Sequence, residues 1–264
     1  MPVPNDVQAH GVRNCRRASI RCVDGLIARL ETQFRPLDLA CDHRALFSLS
    51  YLRITELLRD DLSRRHPLWF RYRGWMFYVI TTFSNRYFQA FSDYEAGRPV
   101  PGAWRITFDE ALSGDANAGQ DVLLASNAHT QHDLPYVYAE QGMRTRGGTS
   151  RKSNHDGVNA INSQVFDHLQ DEFAKRYDPF FGWIDMKPSP LDEKGPGEMV
   201  KAWREGAWRN AERLMRAKTP EQRRRVERQI EATSTAWAHF IATPTVPGYR
   251  AVRDGHCRAF HGLG

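Results

Sequence analysis

The sequence lacks the patterns that mark several common classes of protein. It contains no run of about 18 apolar residues, so we expect no membrane-spanning helix. The first residues, Met1 to Gln8, contain no apolar signal segment, and we therefore expect a cytoplasmic protein. Neither a repeat of twenty to fifty residues nor an alternating strand pattern with hairpin turns is visible. The basic loop from Arg144 to His155 contains glycines but lacks the spacing of a nucleotide-binding P-loop.

Cysteine is also scarce. The four cysteines form no C-x-x-C pair and no repeated spacing, which argues against a zinc ribbon and against a disulfide scaffold. We predict that all four are reduced thiols: Cys15, Cys22, Cys41 and Cys257.

Composition points to a folded protein that does not bind nucleic acid. Apolar residues make up 41% of the 264 residues and aromatic residues 11%, which excludes a disordered chain. The formal charge of +6 comes mostly from arginines that are spread along helix faces and form no known nucleic-acid motif. We expect a small-molecule substrate as the partner, and the sequence does not indicate an oligomeric state.

Helical periodicity runs through most of the chain and predicts an all-α fold. The first helix is expected to end before Arg35-Pro36. The stretch from Trp69 to Phe91 is apolar nearly all round, which is typical of a helix at the centre of a bundle. We predict a single domain of about seven or eight helices around this aromatic helix and a histidine-rich helix from about Asp121 to Gln141. The predicted segments are a flexible N-terminus over residues 1–12, the helical domain over 13–242 and an irregular C-terminal tail over 243–264.

The histidine-rich helix contains the densest group of catalytic side-chain types, in A-S-N-A-H-T-Q-H-D-L-P-Y from Ala125 to Tyr136. His129, His132 and Asp133 are three and four positions apart, so a helix places them on one face. Neighbouring His132 and Asp133 still diverge by about 100°, so one of them is expected to serve another role. Pro135 should kink or end the helix.

Two imidazoles and a carboxylate can hold Zn²⁺ or Fe²⁺, and we first expect a metal-dependent enzyme with hydrolytic chemistry. The metal would be held by His129, His132 or Asp133, and a further ligand would come from His66, His155 or Asp156. Asn127 or Asp156 would orient the nucleophile or the ligands.

Two alternatives need no metal. In the first, a histidine oriented by Asp133 acts as general base in a cyclase or isomerase of specialised metabolism. In the second, the protein is a non-catalytic helical module that binds an apolar ligand, and the polar cluster satisfies a buried network. The candidate substrate-binding residues are Arg53, Trp69, Trp75, Tyr78, Asn85, Tyr87, Tyr136 and Asn159.

Several short motifs together resemble an uncharacterised bacterial family, domain of unknown function 5995. They are Y-L-R-I-T at Tyr51 to Thr55, F-S-N-R-Y-F at Phe83 to Phe88, A-W at Ala103-Trp104, N-A-H-T-Q-H-D-L-P at Asn127 to Pro135 and D-G-V-N-A-I at Asp156 to Ile161. The resemblance spans roughly Leu46 to Leu214. It implies a helical fold and a site built on His129, His132 and Asp133, but no activity.

A weaker local similarity concerns H-x-x-x-D, from His129 to Asp133, with a proline just beyond. It is similar to the metal-binding helix of zinc-dependent phospholipase C and related single-strand nucleases. Those enzymes carry further histidines and an N-terminal tryptophan ligand, whereas this chain starts Met1-Pro2.

Overall fold

The computed structural model describes residues 19–179, 195–242 and 248–263. Within these residues the chain forms ten α-helices and one π-helical turn, with no strand. The all-α prediction is therefore confirmed, and the number of helices is slightly above the seven or eight expected. The predicted flexible segment, residues 1–12, lies outside the described residues.

The helices follow one another with short connections. Their bounds are α1 Ile20–Leu39, α2 Arg44–Ser63, α3 Arg73–Glu95, α4 Gly102–Ser113, α5 Ala118–Asn127, the π-helical turn Ala128–Asp133, α6 Leu134–Gln141, α7 Lys152–Arg176, α8 Gly195–Arg216, α9 Pro220–Ile241 and α10 Tyr249–Phe260. None of these helices has the combination of length and apolarity needed to cross a bilayer.

The π-helical turn lies at the centre of the fold. Besides α5 and α6, which flank it in the chain, it contacts α3, α4, α8 and α9. Around it α1 packs on α2, α2 on α7, α4 on α9 and α6 on α8. Side chains on this turn are therefore surrounded by helices from distant parts of the sequence.

The aromatic helix is buried, as its composition predicted. It begins at Arg73, after the loop that follows Pro67, rather than at Trp69. It contacts α1, α4, α6 and the π-helical turn. Its buried side chains are Trp75, Met76, Phe77, Val79, Ile80, Ser84, Tyr87, Phe88, Ala90 and Phe91.

Helix α1 continues through Pro36 to Leu39, although we predicted that it ends before this proline. A proline removes one helical hydrogen bond and restricts the residue before it, but it does not prevent a last turn. Phe34 and Leu37, on either side of Pro36, are both buried, so packing favours the continued helix. The amide of Ala40 donates to the carbonyl of Pro36 at 3.2 Å and closes this turn.

The C-terminal segment is helical and covalently attached, where an irregular tail was expected. Helix α10 packs against α7, and Cys257 on it forms a disulfide with Cys41 in the turn after α1. The prediction of reduced thiols is wrong for this pair, because the two residues are 216 positions apart and only the fold brings them together. Cys22 is a free, buried thiol, and Cys15 lies outside the described residues.

Candidate functional site

The site begins with the irregular winding of the chain between α5 and α6. We predicted one kinked helix from about Asp121 to Gln141, and the structure has a π-helical turn, Ala128–Asp133, between two α-helical pieces. Pro135 cannot donate to the carbonyl of Gln131, and it occupies the first turn of α6, where no amide donor is needed. Single π-helical turns of this kind are frequent at functional sites.

The carboxylate of Asp133 is the centre of a buried hydrogen-bond network. Its Oδ2 accepts from Trp104 Nε1 at 3.0 Å and lies 3.1 Å from His129 Nδ1, while its Oδ1 lies 2.8 Å from His132 Nδ1. Burial alone would raise the pKa of Asp133, but the hydrogen bonds from His129 and His132 outweigh it and lower that pKa to about 2. Because an ionised carboxylate only accepts hydrogen bonds, both histidines carry a proton on Nδ1.

His129 is a neutral base within this network. Burial lowers the pKa of His129 below its ordinary value, and the hydrogen bond to Asp133 only partly opposes this. With its proton on Nδ1, the lone pair of the ring is on Nε2. This Nε2 is buried and has no hydrogen-bond partner among the described residues. His129 can therefore accept a proton, or one bond to a metal, at Nε2.

Five aromatic rings surround His129, with ring centroids between 3.4 and 6.2 Å from the imidazole. We call Phe47, Tyr51, Phe83, Tyr87 and Trp104 the aromatic box. Phe83 stacks on the imidazole at 3.4 Å with the planes 7° apart. Phe47 and Phe83 are half-buried, whereas the other three rings are fully buried.

Neither tyrosine of the aromatic box bonds to His129. The hydroxyl of Tyr51 lies 2.6 Å from Ser84 Oγ, and the hydroxyl of Tyr87 lies 2.7 Å from Ser48 Oγ. Burial raises the pKa of both phenols, so both stay protonated at neutral pH. The rings around His129 are therefore uncharged, and the positive charge of Arg86 is near enough to lower the pKa of His129 further.

His132 differs from His129 in charge and exposure. Its Nε2 lies 3.2 Å from Glu231 Oε2, so its two nitrogens face two carboxylates. Burial by itself lowers the pKa of His132, but the hydrogen bonds to Asp133 and Glu231 outweigh it and raise that pKa to about 9. His132 is thus an imidazolium at neutral pH. It borders an open surface depression that is also lined by Gly102, Arg105, Tyr136, Glu227, Glu231 and His239.

Two members of this network, Trp104 and Glu231, were not among the predicted site residues. Trp104 gave a weak signal, because it falls in one of the short motifs and a buried indole N–H needs an acceptor. Nothing in the sequence indicated Glu231 as a site residue, since it lies on the polar, arginine-rich helix α9. Its other oxygen, Oε1, accepts from the amide of Gly102 at 2.7 Å. A Cβ at Gly102 would lie 2.6 Å from Thr235 Oγ1, so glycine allows α4 to approach α9 here.

The predicted metal ligands do not come together as one set. Among the described residues, His129, His132 and Asp133 do not place three ligand atoms within 4.8 Å of one another. The nitrogens of His132 and the oxygens of Asp133 are already engaged, which leaves Nε2 of His129. His66 is exposed in the turn after α2. Metal binding by this set stays a prediction.

His155 and Asp156 belong to a separate group with Glu205, whose ligand atoms lie within 4.8 Å of one another. Lys152 Nζ lies 2.5 Å from Asp156 Oδ1 and 2.9 Å from Glu205 Oε2, so one ammonium is already paired with both carboxylates. Burial, together with Arg204 and Lys152, lowers the pKa of His155 to about 2 and keeps it neutral. A metal here would have to displace Lys152.

Two of the predicted substrate-binding residues lie near His155 instead of the aromatic box. Trp75 stacks on Tyr138 at 5.8 Å, and the hydroxyl of Tyr138 lies 2.9 Å from His155 Nδ1. Asn159 Oδ1 accepts from Arg204 Nε at 2.7 Å. These contacts join α3, α6, α7 and α8.

The other predicted residues have diverse surroundings. Asn127, the last residue of α5, joins that helix to α9, because its Nδ2 donates to the carbonyl of Ser234 at 2.8 Å. Arg53 is ion-paired with Glu56 and Glu172. Asn85 accepts from Arg29 Nη1 at 3.3 Å.

Of the remaining four predicted substrate-binding residues, two lie at the histidine network and two do not. Tyr87 is a wall of the aromatic box, and the ring centroid of Tyr136 is 5.6 Å from that of His132. Trp69 lies in the loop before α3, and Tyr78 is on the partly exposed side of α3.

Comparison with known proteins gives a family but no activity. No curated protein and no solved structure matches the chain, so the local similarity to phospholipase C and the nucleases has no support from them. A family model does match, over residues 23–244 of the 264. This range contains the whole histidine network and the aromatic box. The chain therefore belongs to a family of unknown function, DUF5995.

Proposed function

We propose that His129 and Asp133 form a general-base pair that removes a proton from a small, largely apolar molecule. The observation that carries this proposal is the unpartnered, buried Nε2 of His129, on a ring whose Nδ1 is held 3.1 Å from the Asp133 carboxylate. A carboxylate in this position fixes the tautomer of the imidazole and stabilises the imidazolium that forms when Nε2 takes a proton.

The charges around the pair suit this role. Asp133 is ionised at neutral pH, and His129 is neutral because burial lowers its pKa. Trp104 Nε1 and His132 Nδ1 donate to the same carboxylate and keep it in place. Tyr51 and Tyr87 remain neutral phenols, so they do not compete for the proton.

The aromatic box defines the class of substrate. Its five rings offer an apolar surface around the imidazole, which favours a flat or cyclic molecule with few polar atoms. The box is closed by the half-buried rings of Phe47 and Phe83. One of these two rings has to move before a substrate reaches Nε2.

Metal-dependent hydrolysis, our first expectation, has less support from the same side chains. A catalytic zinc site commonly has three protein ligands. Here the donor atoms of His132 and Asp133 already serve hydrogen bonds and ion pairs, and His129 offers one nitrogen.

The proposal is tested with 5-nitrobenzisoxazole, an apolar probe whose ring opens to a coloured phenolate when a base removes its C–H proton. We expect the purified protein to accelerate this opening. His129→Gln should slow it by roughly 10²–10⁴-fold, the usual contribution of a general base. His168→Gln, a change at an exposed histidine on α7, is the matched control and should have no effect.

Three other outcomes would reject the general-base pair. Equal rates for wild type and His129→Gln would place the base elsewhere. Loss of the wild-type rate on adding a chelator would favour the metal-dependent alternative. Saturable binding of the probe without ring opening would favour a non-catalytic ligand-binding module.

A further inference from the structure

A second group of ligand-type side chains lies where α10 meets the turn between α1 and α2, and none of its members belongs to the histidine motif. Cys41 is in this turn, and Cys257 and His261 are four positions apart at the end of α10, which places them on one side of the helix. The two Sγ atoms and a ring nitrogen of His261 all lie within 4.8 Å of one another. We call these three residues the Cys₂His cluster.

In the oxidised cluster the ring atom Nε2 of His261 has no hydrogen-bond partner among the described residues. Its side chain is 9% exposed, and its Nε2 is buried and makes no hydrogen bond to any described residue. The nearest carboxylate oxygen, Asp38 Oδ1, is 3.5 Å away and is engaged by the hydroxyl of Tyr177. The other oxygen of Asp38 accepts from Arg176 Nη1 at 3.1 Å. Buried polar atoms normally have partners, so the unpaired Nε2 of a ring that also places a nitrogen near two sulfurs points to a missing ligand.

We propose that the Cys₂His cluster binds a divalent zinc ion when the disulfide is reduced. A dithiol or phosphine reductant supplies two electrons, the S–S bond breaks, and each sulfur gains a proton. Zn²⁺ then displaces both thiol protons and binds two thiolates and a ring nitrogen of His261. Two thiolates and an imidazole are soft and borderline ligands, a combination that selects Zn²⁺ over Mg²⁺ or Ca²⁺.

The distances fit a tetrahedral ion after a small displacement of the sulfurs. With Zn–S bonds of about 2.3 Å and a Zn–N bond of about 2.0 Å, ligand atoms are roughly 3.5 to 3.8 Å apart. The two Sγ atoms, which are bonded to each other in the oxidised form, have to move apart to reach this spacing. The half-buried position of Cys41 gives a reductant and an ion access from one side. The fourth position is left to water, beside the carboxylate of Asp38.

The disulfide and the zinc-bound cluster cannot exist at the same time, but both attach α10 to the turn after α1. Sulfurs joined in a disulfide cannot act as thiolate ligands, so the oxidised protein holds no ion here. In either form Cys41 is linked to Cys257, and α10 stays attached to the turn after α1. The C-terminal helix would thus remain in place under both oxidising and reducing conditions.

The test uses the full chain, reduced with a phosphine until mass spectrometry finds no Cys41–Cys257 bond, and titrated in chelator-free buffer with Co²⁺ as a coloured substitute for Zn²⁺. We expect a thiolate-to-cobalt charge-transfer band that saturates at one equivalent and is displaced by Zn²⁺. The oxidised chain should give no such band. Ions held by His129 or by the His155 group would not produce it, since neither group contains a thiolate.

Variants separate the cluster from other thiols and histidines. His261→Gln should weaken the reduced chain's affinity for Zn²⁺ by more than about 100-fold, above the usual effect of losing an outer partner of a ligand. His256→Gln, on the same helix, and Cys22→Ser are the matched controls and should bind as wild type does. Absence of the band in the reduced wild type, or its full retention in both His261→Gln and Cys257→Ser, would overturn the proposal.

Discussion

His132 Nδ1 lies 2.8 Å from Oδ1 of Asp133, its neighbour in the chain, although adjacent side chains of a helix normally diverge. The contact occurs in the π-helical turn, and the other nitrogen of His132 reaches Glu231 on α9. His132 is therefore a positive charge between two carboxylates, and it ties the central turn of the fold to α9. Asp133 thus contacts His132 through Oδ1 and His129 through Oδ2.

The first prediction concerns this ion pair. Glu231→Gln keeps an oxygen that can accept from the amide of Gly102 but removes the negative charge beside His132. We expect the pKa of His132 to fall from about 9 toward its ordinary value of about 6.5. The measurement is an NMR titration of the imidazole C–H signals. Glu227→Gln, one turn earlier on α9, is the matched control and should leave the titration unchanged.

The same variant should change how stability depends on pH. The pKa of His132 is higher in the folded than in the unfolded chain, so its stabilising effect is complete below about pH 6.5. That effect is lost as the pH rises through about 9. Wild type should therefore lose more stability between pH 6.5 and 9 than Glu231→Gln does. Parallel stability curves for the two proteins would contradict the assigned role of Glu231.

The fold was predictable where apolar periodicity controls it. Rows such as Leu46, Leu49 and Leu62 on α2 are buried, as their spacing predicted. Helix α10 could not be recognised in this way, because its buried residues are only Tyr249, Arg253 and Cys257. Arg253 Nη1 donates to the carbonyls of Gly114 and Ala116, and such long-range bonds leave no trace in local sequence.

Only the site residues that lie within about one helical turn of one another could be predicted from the sequence. The spacing of His129, His132 and Asp133 placed them together, and the structure joins all three through one carboxylate. Trp104 and Glu231 complete the network from other helices. Trp104 precedes Asp133 by 29 residues in the chain. Local sequence cannot indicate such partners. Local sequence also could not show that the ring nitrogens of His132 and the oxygens of Asp133 are used for hydrogen bonds. Because these atoms are engaged, the expectation of a metal has less support.

The second prediction concerns the hydrogen bond from Trp104 to Asp133. Trp104→Phe removes the N–H that donates to Oδ2 at 3.0 Å. Trp203→Phe is the matched control, since Trp203 is also buried but its Nε1 has no hydrogen-bond partner in the described part of the chain. Both changes remove similar volume, so they differ mainly in one hydrogen bond to a charged group. That bond contributes about 1.5–3 kcal/mol.

Urea unfolding measures the difference. We expect Trp104→Phe to lower the free energy of unfolding by about 1.5–3 kcal/mol more than Trp203→Phe does. If the two variants lost the same free energy of unfolding, the hydrogen bond from Trp104 would not stabilise the fold.

The third prediction concerns access to His129. Phe83 stacks on the imidazole and is half-buried, so a smaller side chain should uncover His129. Phe83→Leu is expected to increase the rate at which diethyl pyrocarbonate modifies His129 Nε2, because the neutral lone pair is the group that reacts. Peptide mass spectrometry at successive times measures this rate. Phe88→Leu, on the same helix under the guanidinium of Arg29, is the control. Equal modification in the two variants would show that Phe83 does not limit access.

The last prediction concerns the close approach of α7 to the loop before α3. A Cβ at Gly157 would lie 2.6 Å from the carbonyl oxygen of Trp69 and 2.8 Å from its Cβ. The loop cannot easily retreat, because Asp61 accepts hydrogen bonds from the amides of Leu68 at 2.8 Å and Trp69 at 3.3 Å. Adding a methyl group therefore forces either the helix or these hydrogen bonds to shift.

We expect Gly157→Ala to lower the free energy of unfolding by about 1–3 kcal/mol, the usual result of overpacking. Gly206→Ala on α8 is the matched control. Nothing lies within 4 Å of its added Cβ, so better helix propensity should stabilise it by up to about 1 kcal/mol. Both substitutions replace a helical glycine with alanine. Changes of opposite sign in the free energy of unfolding, measured with urea, would therefore be due to the contact with Trp69. Stabilisation of both variants would mean that α7 and the loop are further apart in solution than the structure places them.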